Sequence, residues 1–528
     1  MSEPKRVLVA DGIAEAGIHL LRERVQVDVR LGQSESQLAA SIGAYDGLIV
    51  RSETKVSATV VAAARRLQVI GRAGVGIDSI DVEAATRRGI VVVNAPTGNA
   101  VAAAEHAIAM LLALARHVPA ADAAVRRGEW ERRRFLGIEL RGKTLGLIGL
   151  GRIGSEVARR ALGLAMEVVA CDPFVSASVA AQFGVRLLTL DELLAVADFV
   201  SLHSPLTETT RNLVGRTQLA GMKPGACIVN CARGGLIDEE ALLDALDAGN
   251  IAGAALDVFA QEPPVSPRLL GHPKLVLTPH LGGSTVEAQV SVALDVARQV
   301  LAVLDGRLAE HAVNAPMIPP ETLSALVPYF DLAERLGRFH SQLAEARLGQ
   351  VRIVYSGELS AATTPPLCAA VIKGLLEPIS EERVNLVNAH LVARQRGLEI
   401  VEEKRTQPEG PWTSLLALEV SDGRSRSARA GTVQRGEPQI VRVDDYAVTF
   451  VARGHLLVCH NDDRPGMIGK VGTILGNADV NIAYMQVGRA GPRGKAIMVL
   501  GLDEAVPEEL LRELRGIPGI FDAKVVKL

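Results

Sequence analysis

Three side chains with complementary chemistry each follow an apolar run in the middle of the chain: Arg233, Glu262 and His280. Each run is predicted to be a buried strand, and in a doubly wound sheet the carboxyl ends of the strands face the ligand. A histidine can accept a hydroxyl proton, a carboxylate can orient that histidine, and an arginine can clamp a carboxylate through two hydrogen bonds. Together they predict hydride removal from a 2-hydroxy acid, although each residue alone is more often structural.

The hydride acceptor is predicted by a dinucleotide-binding pattern between Lys143 and Pro173. A strand run leads straight into Gly-Leu-Gly-Arg-Ile-Gly, which is followed by a helical pattern, a second strand run and Asp172. Each glycine has its own task. Gly149 allows the tight turn, Gly151 lets a pyrophosphate approach the backbone, and Gly154 lets the helix pack closely on the strand. Asp172 can accept hydrogen bonds from a ribose diol and would repel a 2′-phosphate, so NAD is favoured over NADP. The alternative is an ordinary glycine-rich turn, in a chain that has 50 glycines.

These residues need parallel strands to position them, and the sequence predicts two such frameworks. Strand and helix patterns alternate through residues 5–95, and again from the nucleotide pattern to residue 283. A long helical pattern over 284–306 could return the chain to the first unit. We therefore predict two doubly wound α/β domains of Rossmann or flavodoxin type. One is a discontinuous substrate-binding domain, 1–97 plus 284–316, and the other is an NAD-binding domain, 98–283.

The rest of the chain is predicted to form two smaller domains. Pro316, Pro319 and Pro320 mark a linker. Residues 317–453 mix helical and strand patterns, as in an α+β domain, and contain no motif that indicates chemistry. Residues 454–528 have a βαββαβ pattern. The linker, or the chain near Gly454, offers a hinge.

Composition is that of an ordinary globular protein, and the length requires several domains. Of 528 residues, 48% are hydrophobic and 22% are charged, and the formal net charge is −3. Because there is no long basic block, neither nucleic acid nor a membrane is expected as a partner. The five cysteines are scattered, which favours reduced thiols and no metal site. The first residues start directly with a strand pattern rather than a signal peptide, so a cytoplasmic location is expected.

Several motifs closely resemble the D-2-hydroxyacid dehydrogenase family: VNCARGGLIDEEAL, ALDVFAQEPP and LTPHLGGST, together with GLGRIG. Three earlier motifs resemble one long-form member of that family: LIVRSETKV, IGRAGVGIDSID and VNAPTGNAVAAAEHAIAMLLALAR. The resemblance covers essentially the whole chain, including an intervening domain and a serine-sensing ACT domain. It implies NAD-dependent oxidation of 3-phospho-D-glycerate to 3-phosphooxypyruvate, the first step of L-serine biosynthesis, with Arg233, Glu262 and His280 as catalytic residues. Two alternatives stay open, namely a glyoxylate or hydroxypyruvate reductase and an NAD-sensing corepressor.

The same resemblance implies the cofactor contacts. Arg152 and Ile153 are expected on the pyrophosphate, Asp172 on the adenosine ribose, and Ser204 and Pro205 on the adenine side. The remaining contacts are expected at the nicotinamide or elsewhere along the cofactor: Val75, Cys231, Ala232, Arg233, Asp257, His280, Gly282 and Gly283.

A phosphate on the substrate needs cationic or N–H donors. The resemblance assigns Arg51, Ser52 and Arg72 to the substrate on the first domain, and it places Asn99 near the hinge between the domains. Arg132 lies in a basic run that could reach a phosphate across a dimer, and the alternative is a solvated charge run at a helix end.

The last domain is expected to bind L-serine between two chains, again by resemblance. The carboxylate of Asp463 could hold the amino group, and Asn481 could form a hydrogen bond across the dimer. Asn461 lies in the same loop, at a position where close long-form relatives are expected to have an aromatic residue. The protein is therefore expected to be a homodimer or homotetramer.

Overall fold

The computed structural model describes residues 4–315, 320–344, 349–381, 383–423 and 425–528, with the side chains of 320–325 outside the description. These residues form four sheets. Two sheets are parallel, one is mixed and one is antiparallel, so the predicted fold class is confirmed. Among the described residues, no single helix is long and apolar enough to cross a membrane, although one bent pair passes that test on length and composition: Ala100–Ala115 with Val118–Arg126.

The first sheet has five parallel strands in the order β2-β1-β3-β4-β5, which is the flavodoxin order. Its strands are β1 Arg6–Val9, β2 Gln26–Val29, β3 Gly47–Val50, β4 Val69–Arg72 and β5 Val91–Asn94. Its helices are α1 Glu15–Arg22, α2 Glu35–Ser41, α3 Ala58–Ala63 and α4 Val82–Arg87. The sequence interpretation missed β2 because this strand lies at the edge of the sheet and alternates polar with apolar residues.

The second sheet has seven parallel strands in the order β12-β11-β10-β9-β6-β7-β8. They are β6 Thr144–Ile148, β7 Glu167–Cys171, β8 Arg186–Leu187, β9 Phe199–Leu202, β10 Cys227–Asn230, β11 Gly253–Leu256 and β12 Leu275–Leu277. The helices are α5 Ala100–Ala115, α6 Val118–Arg126, α7 Arg152–Gly163, α8 Ala177–Gln182, α9 Leu190–Val196, α10 Arg216–Ala220, α11 Glu239–Asp247 and α12 Pro267–Leu270. The strand order reverses between β6 and β9, which is where doubly wound sheets bind ligands.

A long helix then returns the chain to the first sheet: α13 Val286–Leu304. Val296 and Val300 on this helix are buried in the same core as Val7 of β1. Beyond the helix, Ala312 forms an antiparallel bridge to Val93 of β5. Helix α13 and the segment that follows it both pack on the first sheet. We therefore propose that the first domain is discontinuous, with the boundaries predicted from the sequence.

The third sheet has six strands in the order β14-β13-β15-β16-β17-β18. They are β13 Gln350–Gly357, β14 Glu399–Arg405, β15 Ser414–Ser421, β16 Arg426–Gln434, β17 Glu437–Val443 and β18 Tyr446–Val451. The helices are α14 Pro320–Leu343, α15 Pro365–Leu376 and α16 Ala389–Gln395. Only β13 and β14 pair in parallel.

The fourth sheet is antiparallel, in the order β20-β21-β19-β22. Its elements follow the predicted βαββαβ order: β19 His455–Asp462, α17 Met467–Asn477, β20 Ile482–Arg489, β21 Lys495–Leu502, α18 Glu508–Arg515 and β22 Ile520–Lys527.

One hydrophobic core spans the third and fourth sheets. Side chains alternate across a strand, so Leu457 of β19 packs beneath α17 and α18 while its neighbours Leu456 and Val458 point the other way. Those two residues belong to the core that also buries Phe339 of α14 and other residues of the third-sheet domain. We keep the division at 453/454 as a proposal, since it separates two sheets that share this core.

Two hinges are predicted from the sequence, one near Gly454 and one at the proline-rich linker. The backbone N–H of Gly454 donates to the carbonyl of Leu528 at 3.1 Å, and the N–H of Leu528 donates back at 3.0 Å. Gly454 is therefore held by the end of β22 rather than free to act as a hinge. Pro316 and Pro319 of the linker lie outside the described residues.

Candidate active site

A cavity of about 450 Å³ lies in the cleft between the first two domains. It contains seven of the residues predicted from the sequence: Arg51, Ser52, Arg72, Asn99, Glu262, His280 and Gly283. The two parallel sheets thus bring four predicted substrate contacts to the same space as the predicted histidine and its carboxylate.

His280 and Glu262 are in direct contact. The His280 Nδ1 atom lies 2.8 Å from Glu262 Oε2, while Glu262 Oε1 accepts the backbone N–H of Phe259 at 3.1 Å. A carboxylate can only accept, so Nδ1 carries the proton and Nε2 is left as an acceptor for a substrate hydroxyl. His280 has a φ of 56°, a left-handed conformation that is uncommon for a residue with a side chain. Strain of this kind is concentrated at functional sites.

Three guanidinium groups converge on the cavity. Burial, reinforced by the positive charges of Arg233 and Arg51, lowers the pKa of the Arg72 guanidinium. Arg233 lies beside the cavity, with its Nε atom 3.8 Å from Asp78 Oδ2. Arg51 is held at the edge by a 3.2 Å hydrogen bond from Nη1 to the carbonyl of Gly12. Such a concentration of positive charge suits a ligand that is anionic at both ends.

A buried asparagine shapes the turn that presents Arg233. Asn230, at the end of β10, is 2% exposed. Its side chain accepts the N–H of Ala232 at 3.0 Å and donates to the carbonyl of Arg233 at 2.9 Å. Cys231 lies within this turn, and burial together with the charge of Asp257 raises the pKa of its thiol. The thiol is therefore neutral beside the predicted nicotinamide position.

The glycine-rich loop has the geometry that a pyrophosphate requires. Gly149 has a φ of 99°, and a Cβ at Gly154 would lie 2.2 Å from the Gly149 carbonyl oxygen. A Cβ at Gly151, in contrast, would meet no heavy atom within 4 Å among the described residues. Helix α7 starts at Arg152, followed by Ile153, and no described side chain caps its first N–H groups. These donors and the open side of Gly151 fit a dinucleotide phosphate.

Asp172 and Ser204 hold this loop from either side. The Asp172 carboxylate accepts the N–H groups of Leu150 at 2.8 Å and Phe174 at 2.9 Å. Ser204 Oγ donates to the carbonyl of Ile148 at 3.0 Å. Pro205 follows, and its carbonyl accepts the hydroxyl of Thr210 at 2.7 Å. These hydrogen bonds fix the loop between β6 and α7 against the ends of β7 and β9.

Asp257 holds the segment after β12 next to the cavity. It is fully buried and accepts the N–H groups of Leu281 at 2.7 Å and Gly282 at 2.9 Å, and the Thr278 hydroxyl at 2.6 Å. His106 Nε2 lies 3.1 Å away. Burial alone would raise the pKa of the Asp257 carboxyl, but these hydrogen bonds outweigh it and hold the pKa below its usual range.

Two residues near the chemistry were missed by the sequence interpretation. His106 is on α5 and meets Asp257 far along the chain, so no local spacing indicates the pair. Asp78 lies beside Arg233, and its position in the motif IGRAGVGIDSID was the only available signal.

Arg132 and Val75 are also predicted contacts that do not line the cavity. Arg132 is exposed, in a 3₁₀ turn from Arg132 to Phe135. Val75 belongs to the loop after β4, and its carbonyl accepts Asn94 Nδ2 at 2.6 Å.

The three predicted effector residues do not meet within one chain. The Asp463 carboxylate accepts the N–H of Arg493 at 3.1 Å and lies 3.3 Å from Arg489 Nη1. The side chain of Asn481 donates to Asp503 at 2.6 Å, at the opposite end of the fourth sheet. Asn461 is 3% exposed, and its buried Oδ1 atom has no hydrogen-bond partner among the described residues.

Comparison with known proteins agrees with this geometry. Residues 108–282 match the family model described as "D-isomer specific 2-hydroxyacid dehydrogenase, NAD binding domain". Residues 325–444 match "D-3-phosphoglycerate dehydrogenase intervening domain", and residues 455–519 match "ACT domain". The fold and the site therefore define an NAD-dependent dehydrogenase of the D-2-hydroxyacid class that carries an ACT domain.

Full-length relatives narrow this class. The chain is 47% identical over 524 residues to D-3-phosphoglycerate dehydrogenase of Synechocystis, covering 99% of this chain and 95% of that relative. It is 45% identical over 524 residues to the enzyme of the same name from Methanocaldococcus jannaschii, covering 99% and 100%. The chain belongs to the D-3-phosphoglycerate dehydrogenase family.

Solved structures of dehydrogenases and reductases match more than half of the chain. A glyoxylate reductase from Paecilomyes thermophila superimposes with a TM-score of 0.54 at 32% identity, covering 61% of this chain and 100% of that one. D-lactate dehydrogenase from Aquifex aeolicus, complexed with NAD and lactic acid, gives 0.54 at 25% identity, covering 59% and 100%.

Proposed function

We propose that this enzyme oxidises 3-phospho-D-glycerate to 3-phosphooxypyruvate with NAD, as the first step of L-serine biosynthesis. The observation that carries the proposal is the convergence of three arginines on the cavity that holds the His280–Glu262 pair. A 2-hydroxy acid with a phosphate is anionic at both ends, and the names of the full-length relatives point to this substrate.

The chain's own groups have distinct tasks in this proposal. Arg233 holds the substrate carboxylate and so fixes the hydroxyl-bearing carbon opposite the cofactor. His280 Nε2 accepts the hydroxyl proton, and the carboxylate of Glu262 stabilises the imidazolium that forms. NAD supplies the hydride acceptor when it is bound. The phosphate is held by residues of the first domain: Arg51, Ser52 and Arg72.

The direct test measures NADH formation with 3-phosphoglycerate, with glycerate and without substrate. The proposal expects rapid NADH formation only with the phosphorylated acid. Equal rates with glycerate would instead favour a reductase of non-phosphorylated acids, and NADH binding without turnover would favour a sensor.

Asp172 is proposed to set the choice of cofactor, and replacing it should narrow the preference for NAD over NADP. Asp172→Ser removes the charge that would repel a 2′-phosphate, but it also removes the acceptor of two loop N–H groups. We therefore expect the NAD KM to rise about tenfold or more, a loss of about 1.4 kcal/mol, and the ratio of kcat/KM values for NAD and NADP to fall. Asp172→Asn is the closer comparison, since it also removes the charge but keeps an oxygen that can accept one of the two N–H groups. A wild-type enzyme that uses both cofactors equally would contradict this role.

We propose that the enzyme is at least a dimer formed through the bend between α5 and α6. Large apolar side chains are exposed on this bend and on the segment that follows it: Leu112, Val118, Val125, Trp130 and Leu136. Arg132 lies in the same segment, so a dimer through this surface could bring it to the partner's phosphate site.

We propose that L-serine binds between two ACT domains and lowers activity. The support is the presence of an ACT domain together with Asp463 and Asn481, which lie at opposite ends of one sheet and so would meet only across a dimer. This regulation requires that serine favour one global state, with a coupling of about 1–3 kcal/mol.

Asp463→Asn in the full chain should abolish serine inhibition without changing NAD affinity. The substitution removes the charge that would hold the serine ammonium group. Asp462→Asn is the matched control, because the neighbouring carboxylate is paired with Arg464 at 2.8 Å. Truncation after residue 315 should give a catalytic unit that ignores serine. Full serine sensitivity in the Asp463 variant would show that the loop does not bind the effector.

A further inference from the structure

The loop after β4 carries several groups of the candidate site, and only its first two residues are buried. It runs from Ala73 to Asp78 and includes Val75, a predicted cofactor contact. It starts directly after Arg72 and ends at Asp78, whose carboxylate lies beside Arg233. Glycines occupy two of its six positions, and Gly74 has a φ of 151°. Since glycine-rich backbone is conformationally permissive, other residues must fix this loop.

Asn94, at the end of the neighbouring strand β5, supplies that restraint. Its Nδ2 atom donates to the carbonyl of Val75 at 2.6 Å. The next residue, Ala95, donates its N–H to the carbonyl of Gly74 at 3.0 Å. The end of β5 therefore holds the middle of the loop through one side-chain and one backbone hydrogen bond.

Asn94 is itself held by a second amide. Gln299 of α13 is 4% exposed, and its Nε2 atom donates to the carbonyl of Asn94 at 2.8 Å. The same nitrogen reaches Asp295 Oδ1 at 3.2 Å, and Gln299 Oε1 accepts the N–H of His311 at 2.9 Å. His311 closes the arrangement, because its carbonyl accepts the N–H of Asn94 at 3.3 Å.

The helix that carries Gln299 also reaches the cavity. Ala288, Gln289 and Val292, in the first half of α13, line the cavity. A helix rises about 1.5 Å per residue, so Gln299 lies two to three turns below them on one rigid element. The amide pair thus links the loop that forms one wall of the site to the helix that forms another.

We propose that Asn94 and Gln299 are positioning residues that fix the Ala73–Asp78 loop for substrate binding. The inference rests on the proposed function of the cavity, and neither residue touches the reacting atoms. Loss of the Asn94 amide leaves the Val75 carbonyl without its donor. The loop, with the Asp78 carboxylate beside Arg233, is then free to leave the binding position.

A matched control lies on the same part of the fold. Asn314 also uses its side-chain amide to anchor the chain around β5: Oδ1 accepts the N–H of Val92 at 2.8 Å. Its Nδ2 donates to Thr86 Oγ1 at 3.0 Å and to the carbonyl of Ile90 at 2.9 Å. Asn314→Ala therefore removes a similar set of hydrogen bonds at the start of β5, away from the loop.

The experiment compares Asn94→Ala with Asn314→Ala in the full-length enzyme. We expect Asn94→Ala to raise the KM for 3-phosphoglycerate about tenfold, the effect of losing about 1.4 kcal/mol of binding, with a smaller change in kcat. Amide hydrogen exchange across residues 73–78 should become faster. Asn94→Ala and Asn314→Ala should lower the melting temperature to a similar extent. Asn314→Ala should leave the KM for 3-phosphoglycerate within about twofold of the wild-type value, and amide hydrogen exchange in residues 73–78 should be unchanged.

Gln299→Met refines the test, because it loses the donor to Asn94 without burying a carboxylate beside Asp295. A KM between those of the wild type and Asn94→Ala is expected. An unchanged KM in Asn94→Ala, or an equal rise in Asn314→Ala, would overturn the inference. Failure of the proposed function is distinguishable, since the wild type would then be inactive with 3-phosphoglycerate before any variant is compared.

Discussion

His280→Ala is expected to lower kcat by about 10²–10⁴-fold, the usual contribution of general acid–base catalysis. Alanine removes the imidazole that is hydrogen-bonded to Glu262 in the cavity and that is proposed to accept the hydroxyl proton. NADH binding should change little, because the glycine-rich loop and Asp172 lie on a different part of the second sheet. The measurement is steady-state turnover with 3-phosphoglycerate, combined with NADH fluorescence titration.

Glu262→Gln separates orientation of the histidine from charge. The single oxygen of glutamine can still accept the hydrogen bond from His280 Nδ1–H if the bond from the Phe259 N–H is given up. The substitution removes the negative charge that would stabilise an imidazolium. Since charge-assisted hydrogen bonds are roughly twice as strong as neutral ones, a loss smaller than that of His280→Ala is expected. A fall in kcat of less than about threefold in His280→Ala would remove the histidine from its proposed role.

Arg233→Ala is expected to reduce kcat/KM by about 10²-fold or more with every 2-hydroxy acid. Truncating one partner of a charged, hydrogen-bonded pair typically costs about 2–5 kcal/mol, and each 1.4 kcal/mol corresponds to about tenfold. The loss should appear with phosphorylated and non-phosphorylated acids alike, because every one of them carries the carboxylate.

Arg51→Ala is the comparison that identifies the other end of the substrate. Arg51 is on the first domain, at the edge of the cavity, and is proposed to contact only the phosphate. Its replacement should weaken the binding of 3-phosphoglycerate by about tenfold or more, because one charged hydrogen bond contributes about 1.5–3 kcal/mol. The binding of a non-phosphorylated acid should be nearly unaffected. Equal losses with both kinds of acid would show that Arg51 does not distinguish the phosphate.

Local patterns allowed most of the catalytic half to be predicted from the sequence. The strand, glycine-rich turn, helix and Asp172 are consecutive, so one stretch of chain contains the whole pattern. Arg233, Glu262 and His280 were also accessible, because the carboxyl ends of parallel strands share one edge of a sheet. The structure places His280 and Glu262 at that edge, 2.8 Å apart.

The remaining features depend on contacts between distant segments. The His106–Asp257 pair and the Asn94–Gln299 pair join residues on different elements, and no spacing along the chain indicates either. Edge strands with many polar residues, such as β2 and β14, lack the apolar run that reveals a buried strand. The core shared by the third and fourth sheets was missed for a related reason, since both faces of β19 are apolar and the sequence does not say what covers each one.

That shared core has a consequence for how this architecture can be rearranged. A chain that began at Gly454 would expose one apolar face of β19 and β21, including Leu456, Val458 and Val499, which are buried against the neighbouring domain. Exposed apolar surface of this kind promotes association. Fusing the last domain alone to another dehydrogenase would therefore transfer only part of the shared hydrophobic core. A fusion that starts near residue 320 would include all of that core.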